Sequence, residues 1–453
     1  MAGRGRRSRK VSLVERVRLR RRGRVSDLQR SSAALVLTTG INGVLGLGFW
    51  IVAAHVLPTA VVGLGAGAIS ALQLVGTVGW CGLQYTLMRY LPIAGSRSAE
   101  LVVRVYCLGG VLATGASIGF LWIFADDLGV GFLSSSPVAA AAFVLAAIAW
   151  VIFSLQDAAL VGIRRAIWVP LENAAFGLLK LAGLGAFAVF ASVWAIVTAW
   201  MLSCGVMVLV ITTALWRRFL VRSGDSSRLP DGSQLLRFSA GHTAVNVAGW
   251  LPDFLVPLLV LALVGRQASA YYYAAWTVAF AARMAINGLA SALTVEAAYA
   301  EEDWHRLRRS AVRLGALVVV PAMGTLLIGS SLLLQVFGDG YAVAAPVLRL
   351  FALSLPASAI IAFFLARDRV LQGFASSLLV TFTATGWTIG LDLLLLPRYG
   401  MTGAGVGWLL GQCAACAVAM VVIRRRPSPG HGSSEGHSRR NRRRDRSSAA
   451  VPE

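Results

Sequence analysis

From residue 31 to residue 423 the chain alternates long apolar stretches with short polar joints. Each stretch is close to the ~20 residues that a helix needs to cross the hydrocarbon of a bilayer. The pattern predicts twelve spanning helices, over 31–54, 62–86, 102–124, 138–160, 171–191, 194–215, 238–262, 271–294, 311–335, 344–366, 371–396 and 402–423. The joints are too short for a separate soluble catalytic domain. An all-α integral membrane protein follows, divided into a basic segment 1–30, a six-helix half 31–216, a linker 217–237, a second six-helix half 238–423 and a basic tail 424–453.

Arginine placement gives this pattern an orientation. If the N-terminus is cytoplasmic, the inner joints hold Arg89, Arg97, Arg104, Arg164 and Arg165, then Arg217, Arg218, Arg222, Arg228 and Arg237. Arg306, Arg308, Arg309, Arg367, Arg369 and the run at 424–426 continue the series. The outer joints ("HVLPTA", "ADDLGVGFLSSS", "GRQAS", "FGDGYA", "PRYGM") are nearly free of arginine. That is the positive-inside asymmetry, and it predicts both termini in the cytoplasm of a cell whose plasma membrane holds the chain.

Composition then excludes other classes. Only 14% of residues are charged against 57% hydrophobic, and the net charge of +22 is concentrated in stretches such as "GRGRRSRKVSLVERVRLRRRGR" and "HSRRNRRRDRSS". Nucleic acid is not the expected partner, because no basic stripe interleaved with aromatics crosses the apolar body. Anionic membrane lipid is. The first apolar stretch is too long for a cleaved signal core. Cys413 and Cys416 form the lone C-x-x-C and lie inside an apolar helix, so neither metal nor cofactor is expected. "GAGVG" has no strand before it and is not a dinucleotide loop. No hydrolase, metalloprotease or P-loop signature occurs, and a non-enzyme is expected; a membrane-embedded glycan-processing enzyme is the remaining catalytic alternative.

Polar residues inside the spans carry the candidate chemistry. Residues three, four and seven apart share a helix face. The seventh span aligns His242, Asn246 and Asp253 around Trp250; the eighth aligns Trp276, Arg283, Asn287, Ser291 and Thr294. The second aligns Gln73, Thr77, Trp80 and Gln84 and ends near Arg89, and the first offers Thr38, Thr39 and Asn42. Asn, Gln and Thr also join membrane helices as structural hydrogen bonds. Arg283 lies near mid-helix, where an ionisable group points to function or to a buried partner. Asp253 either neutralises it or carries a coupling ion. Lys180, within "ENAAFGLLKLAGLGAFAVFASV", either snorkels to the headgroups or pairs with a neighbouring helix. Gly403, Gly407 and Gly411, four apart, let helices approach closely.

"TTGINGVLGLGFWIVAAHVLPTAVVGLGAGAISALQLV", "GLQYTLMRYLP", "VFGDGYAVAAPVLRLFALSLP" and "LLLPRYGMTGAGVGWLLGQ" together resemble the polysaccharide-transporter branch (Wzx-like flippases) of the multidrug/oligosaccharidyl-lipid/polysaccharide, or MOP, exporter superfamily. The resemblance implies a V-shaped transporter of two six-helix bundles, with the first, second, seventh and eighth helices around a central cavity. It implies transfer of a polyprenyl-diphosphate-linked glycan between leaflets for cell-surface polysaccharide synthesis, by a monomer that meets biosynthetic enzymes and membrane lipids. Arg283 and Arg89 would then face the diphosphate. The first span carries no arginine, unlike some such flippases. A proton- or cation-coupled exporter of drugs or small amphipathic solutes is the alternative, and its cavity would favour acidic groups.

Overall fold

The structure, a computed structural model, describes residues 37–80, 82–220, 229, 231–299, 304–370 and 374–425. The basic segment 1–30, the tail from 426 onward and Arg222 and Arg228 lie outside the described residues. So do the side chains of Arg218, His242, Ser291, Thr294, Arg306, Arg308, Arg309 and Arg369.

The described chain is helical throughout: α1 (Leu37–Val56), α2 (Thr59–Trp80), α3 (Leu83–Tyr90), α4 (Ser98–Ile123), α5 (Pro137–Gly162), α6 (Trp168–Phe187) and α7 (Val193–Ala214). After the linker come α8 (Gly232–Leu263), α9 (Arg266–Tyr299), α10 (Trp304–Ile328), α11 (Ser330–Gln335), α12 (Ala345–Val370), α13 (Phe374–Tyr399) and α14 (Met401–Arg425). Local chemistry sets several ends. Ser136 Oγ accepts from the Ala139 amide and Pro137 opens α5, where its missing N–H costs nothing. Ser192 caps α7 in the same way through Trp194.

Ten of these helices, among the described residues, are long and apolar enough to cross a membrane. Large apolar side chains face outward, with Trp122 87% and Ile328 90% exposed. On a water-soluble chain such a surface would aggregate; in a bilayer it is the solvated face. The protein is a multi-pass integral membrane protein.

The ten are counted among the described residues; α9 and α10 are further helices over the expected spans 271–294 and 311–335. Within the described residues of α10, Gly315–Ile328 is an apolar run. The expected span 311–335 ends at Ile328 and restarts as α11. The expected span 62–86 is interrupted between α2 and α3, where Gly82 has φ 86°, a left-handed conformation that glycine adopts without strain.

α2 is central. It packs on α4, α5 and α7 on one side and on α8 and α9 on the other. α12 packs on α9, α10 and α14, and α13 packs on α8 and α14. Close approach at the last pair matches the small-residue spacing: a Cβ at Gly403, Gly407 or Gly411 would collide with Leu395, Asp392 or Thr388 of α13. α8 keeps its helix through Pro252. A proline there leaves the carbonyl four residues back without its usual donor, and Thr385 of α13 donates to that Ala248 carbonyl at 2.6 Å.

Candidate functional site

Mid-helix, α8 and α9 bring Asp253 and Arg283 together. Arg283 Nη1 lies 2.8 Å from Asp253 Oδ1, and Nη2 donates to Oδ2 at 3.0 Å. The Asp253 side chain is 3% exposed and that of Arg283 13%. The guanidinium also lies 4.5 Å from the ring centre of Trp408 on α14 and 5.6 Å from that of Phe280. A planar fork set on a carboxylate and backed by an aromatic face is how arginine tolerates a dry setting. An anion that engages Arg283 must compete with Asp253.

The other expected residues spread from this pair toward α3. Asn287, one turn along α9, is exposed, as is Asn42 on α1. Asn246 on α8 accepts from the Tyr85 hydroxyl at 3.2 Å. Gln73 is half-buried, and its side-chain oxygen is buried without a hydrogen-bond donor. Gln84 is half-buried on α3, and Arg89 at the end of that helix is exposed, its guanidinium 4.8 Å from the Phe238 ring. Thr86 and Ser239 share a hydroxyl hydrogen bond of 2.6 Å. Those last contacts form a polar seam between α3 and the start of α8.

A second polar cluster joins α1, α5 and α6. Asn42 Nδ2 donates to Asn173 Oδ1 at 3.0 Å, and Asn173 Nδ2 donates to Asp157 Oδ1 at 3.1 Å. Beside Asn173, Glu172 is 1% exposed, and among the described residues neither carboxylate oxygen has a hydrogen-bond donor. The nearby Tyr106 hydroxyl is also buried without a hydrogen-bond partner among the described residues. On α13, Asp392 is fully buried, again with neither oxygen hydrogen-bonded among the described residues. Asn42 was among the expected residues, but Asp157, Glu172, Asn173 and Asp392 were not. The available signal was a bare carboxylate within an apolar run, at "SLQDAAL", "PLENAAF" and "TIGLDLLLL".

Lys180 does not snorkel. It is 5% exposed, and its ammonium lies 4.3 Å from the Trp200 ring centre, 5.0 Å from Phe176 and 5.2 Å from Phe49. Rings from α1, α6 and α7 thus enclose it, with no carboxylate within salt-bridge distance among the described residues. The enclosure continues through Phe49 to Trp50, Tyr273, Trp276 and Phe280, with successive ring centres 4.6–5.3 Å apart. Phe280 in turn meets Arg283. One aromatic chain therefore connects the two buried cations across the packing of α1 on α9.

Among the described residues no group of three or more His, Cys, Asp or Glu side chains is placed to hold a metal ion, and Cys413 and Cys416 are free thiols.

No protein-family model matches the chain, and no curated protein does so. Solved structures do. An inward-facing multidrug resistance MATE family transporter of the MOP superfamily is 17% identical, covers 87% of this chain and 94% of its own, and superposes with a TM-score of 0.63. The lipid II flippase MurJ, in an inward closed conformation, is 11% identical, with coverage of 87% and 88% and a TM-score of 0.70. A MOP superfamily transporter from Pyrococcus furiosus, described by a binding pocket of reversed polarity, is 16% identical, with coverage of 88% and 94% and a TM-score of 0.58. The chain shares its all-α, multi-span fold with these proteins.

Proposed function

We propose that the chain is a transporter that moves an amphipathic solute across the plasma membrane and couples that movement to a proton or another small cation. The carrying observation is the state of the buried charges. Among the described residues, Glu172 and Asp392 are carboxylates without donors in the helical core, while the guanidinium that would attract a phosphate already faces Asp253. An unpaired buried carboxylate is costly, and uptake of a cation or proton relieves that cost. Release on the opposite side returns it, which favours a second arrangement of the helices. The moving parts would be the halves 31–216 and 238–423, both termini remaining cytoplasmic. The multidrug MATE likeness supports this reading.

Transfer of a polyprenyl-diphosphate glycan is the second reading. It is favoured by the MurJ likeness and by Arg89, whose exposed guanidinium lies at the end of α3 where an incoming headgroup would arrive. In that case the diphosphate displaces Asp253 from Arg283 during transfer.

The test reconstitutes the purified chain in vesicles and offers two probes, a cationic amphipathic dye and a labelled polyprenyl-diphosphate sugar. Dye movement that is lost in Glu172→Gln or Asp392→Asn supports coupled export. Movement of the labelled lipid alone, weakened by Arg283→Ala and partly kept by Arg283→Lys, overturns it in favour of the glycan lipid.

A further inference from the structure

Beside the α3–α8 seam lies a cleft of about 320 Å³ between α4 and the start of α8. Its two ends differ in chemistry. At the mouth stand Arg97, Glu100 and Arg104 on one lip and Asp231 on the other. Glu100 is shared: Arg97 Nε meets one of its oxygens at 2.8 Å and Arg104 meets the other. Two guanidiniums therefore divide one carboxylate, which leaves a net positive charge on that lip. The opposite lip is negative. Asp231 sits at the N-cap of α8, yet its side chain makes no capping hydrogen bond, so its carboxylate is left to face the cleft and solvent.

Deeper in, the lining is aliphatic. Leu101, Val105 and Leu108 follow one face of α4 and oppose Leu235 of α8. Leu236 also lines the cleft and is 55% exposed, so part of the rim is apolar and open to the surroundings.

We propose that this cleft binds a phospholipid with a primary-amine headgroup, taken from the leaflet that faces the arginine-rich joints. The phosphate sits on Arg97 and Arg104, whose donors suit its oxygens. The ammonium sits on Asp231, and the first part of one acyl chain runs along the α4 leucine face. An acidic lipid without an amine satisfies one lip only. A trimethylammonium headgroup has the charge for the other lip but no N–H to donate to it. The occupant would touch Thr86 and Ser239, the two residues that join α3 to α8, so it would be a lipid fastened to the seam rather than a passenger in the core. The site does not depend on what is transported.

Native mass spectrometry of the full chain, released from detergent carrying equimolar phosphatidylethanolamine, phosphatidylcholine and phosphatidylglycerol, tests it. Phosphatidylethanolamine should be retained about tenfold better than either other lipid, the worth of one charge-assisted hydrogen bond. Asp231→Asn should lower its retention to the level of phosphatidylglycerol, and Arg104→Gln should lower the retention of both. All three side chains at the mouth of α4 and Asp231 are exposed, so melting of the variants should match that of the parent. Equal retention of the three lipids, or an ethanolamine preference that survives Asp231→Asn, would overturn the site.

Discussion

Arg283 and Lys180 are both buried cations on helices of one chain, but Arg283 faces a carboxylate and Lys180 faces three rings. The ion pair confines its charge: removing either member strands the other in a dry setting, so each depends on its partner. The ring enclosure is one-sided. The rings gain from the ammonium, yet without it they remain an ordinary aromatic core. A charge held in that way can be replaced by an apolar side chain, whereas one held by a carboxylate cannot. The contrast extends to the acidic groups. Asp253 faces the Arg283 guanidinium, while Glu172, on the same helix as Lys180, meets no donor among the described residues. Asp392 on α13 is in the same state as Glu172, with neither oxygen hydrogen-bonded among the described residues.

Substitutions test that asymmetry, and the largest effect belongs to the ion pair. Asp253→Ala should lower stability by about 3–5 kcal/mol, the cost of leaving a buried charge alone. The double variant Asp253→Leu with Arg283→Met should recover most of it. Thermal melting in detergent reads both; a mild single variant would mean that the pair contributes little. Next comes Trp200→Ala, which removes the ring nearest Lys180 and leaves a void, for an expected loss of about 3–5 kcal/mol.

Gly403→Ala should cost about 1–3 kcal/mol through overpacking, because its Cβ would sit 2.7 Å from the Leu395 carbonyl carbon. Lys180→Met, close in volume, should stay within about 1.5 kcal/mol of the parent. A loss as large as that of Asp253→Ala would show that Lys180 has a carboxylate partner and would erase the distinction drawn above. Glu100→Gln should leave the melting transition where it is, since the arginines it joins are exposed and screened.

Much of this was written in the sequence at the level of helices. The apolar stretches place the helices closely, and the spacing of Gly403, Gly407 and Gly411 anticipates the tight α13–α14 contact. Arg283 and Asp253 were legible as partners because each stands alone in an apolar setting on consecutive helices. Gly82 was not legible as a break: a requirement for positive φ leaves no mark in a run of small and apolar residues. The surroundings of Lys180 were hidden for another reason. Its rings come from three helices, and spacing along one helix says nothing about what its neighbours present. Glu172 lies near the start of α6, where a carboxylate ordinarily reaches the headgroups, so only packing reveals that it is buried.

The central claim is that transport is driven through a carboxylate in the core, with Glu172 the leading group. The most direct measurement is flux of a cationic amphipathic dye in vesicles containing the purified chain, with and without an imposed proton or sodium gradient, compared with Glu172→Gln. The account predicts that one of the gradients accelerates dye movement and that the glutamine variant loses this acceleration while remaining folded. Dye movement indifferent to both gradients, or acceleration unchanged in the variant, would contradict it.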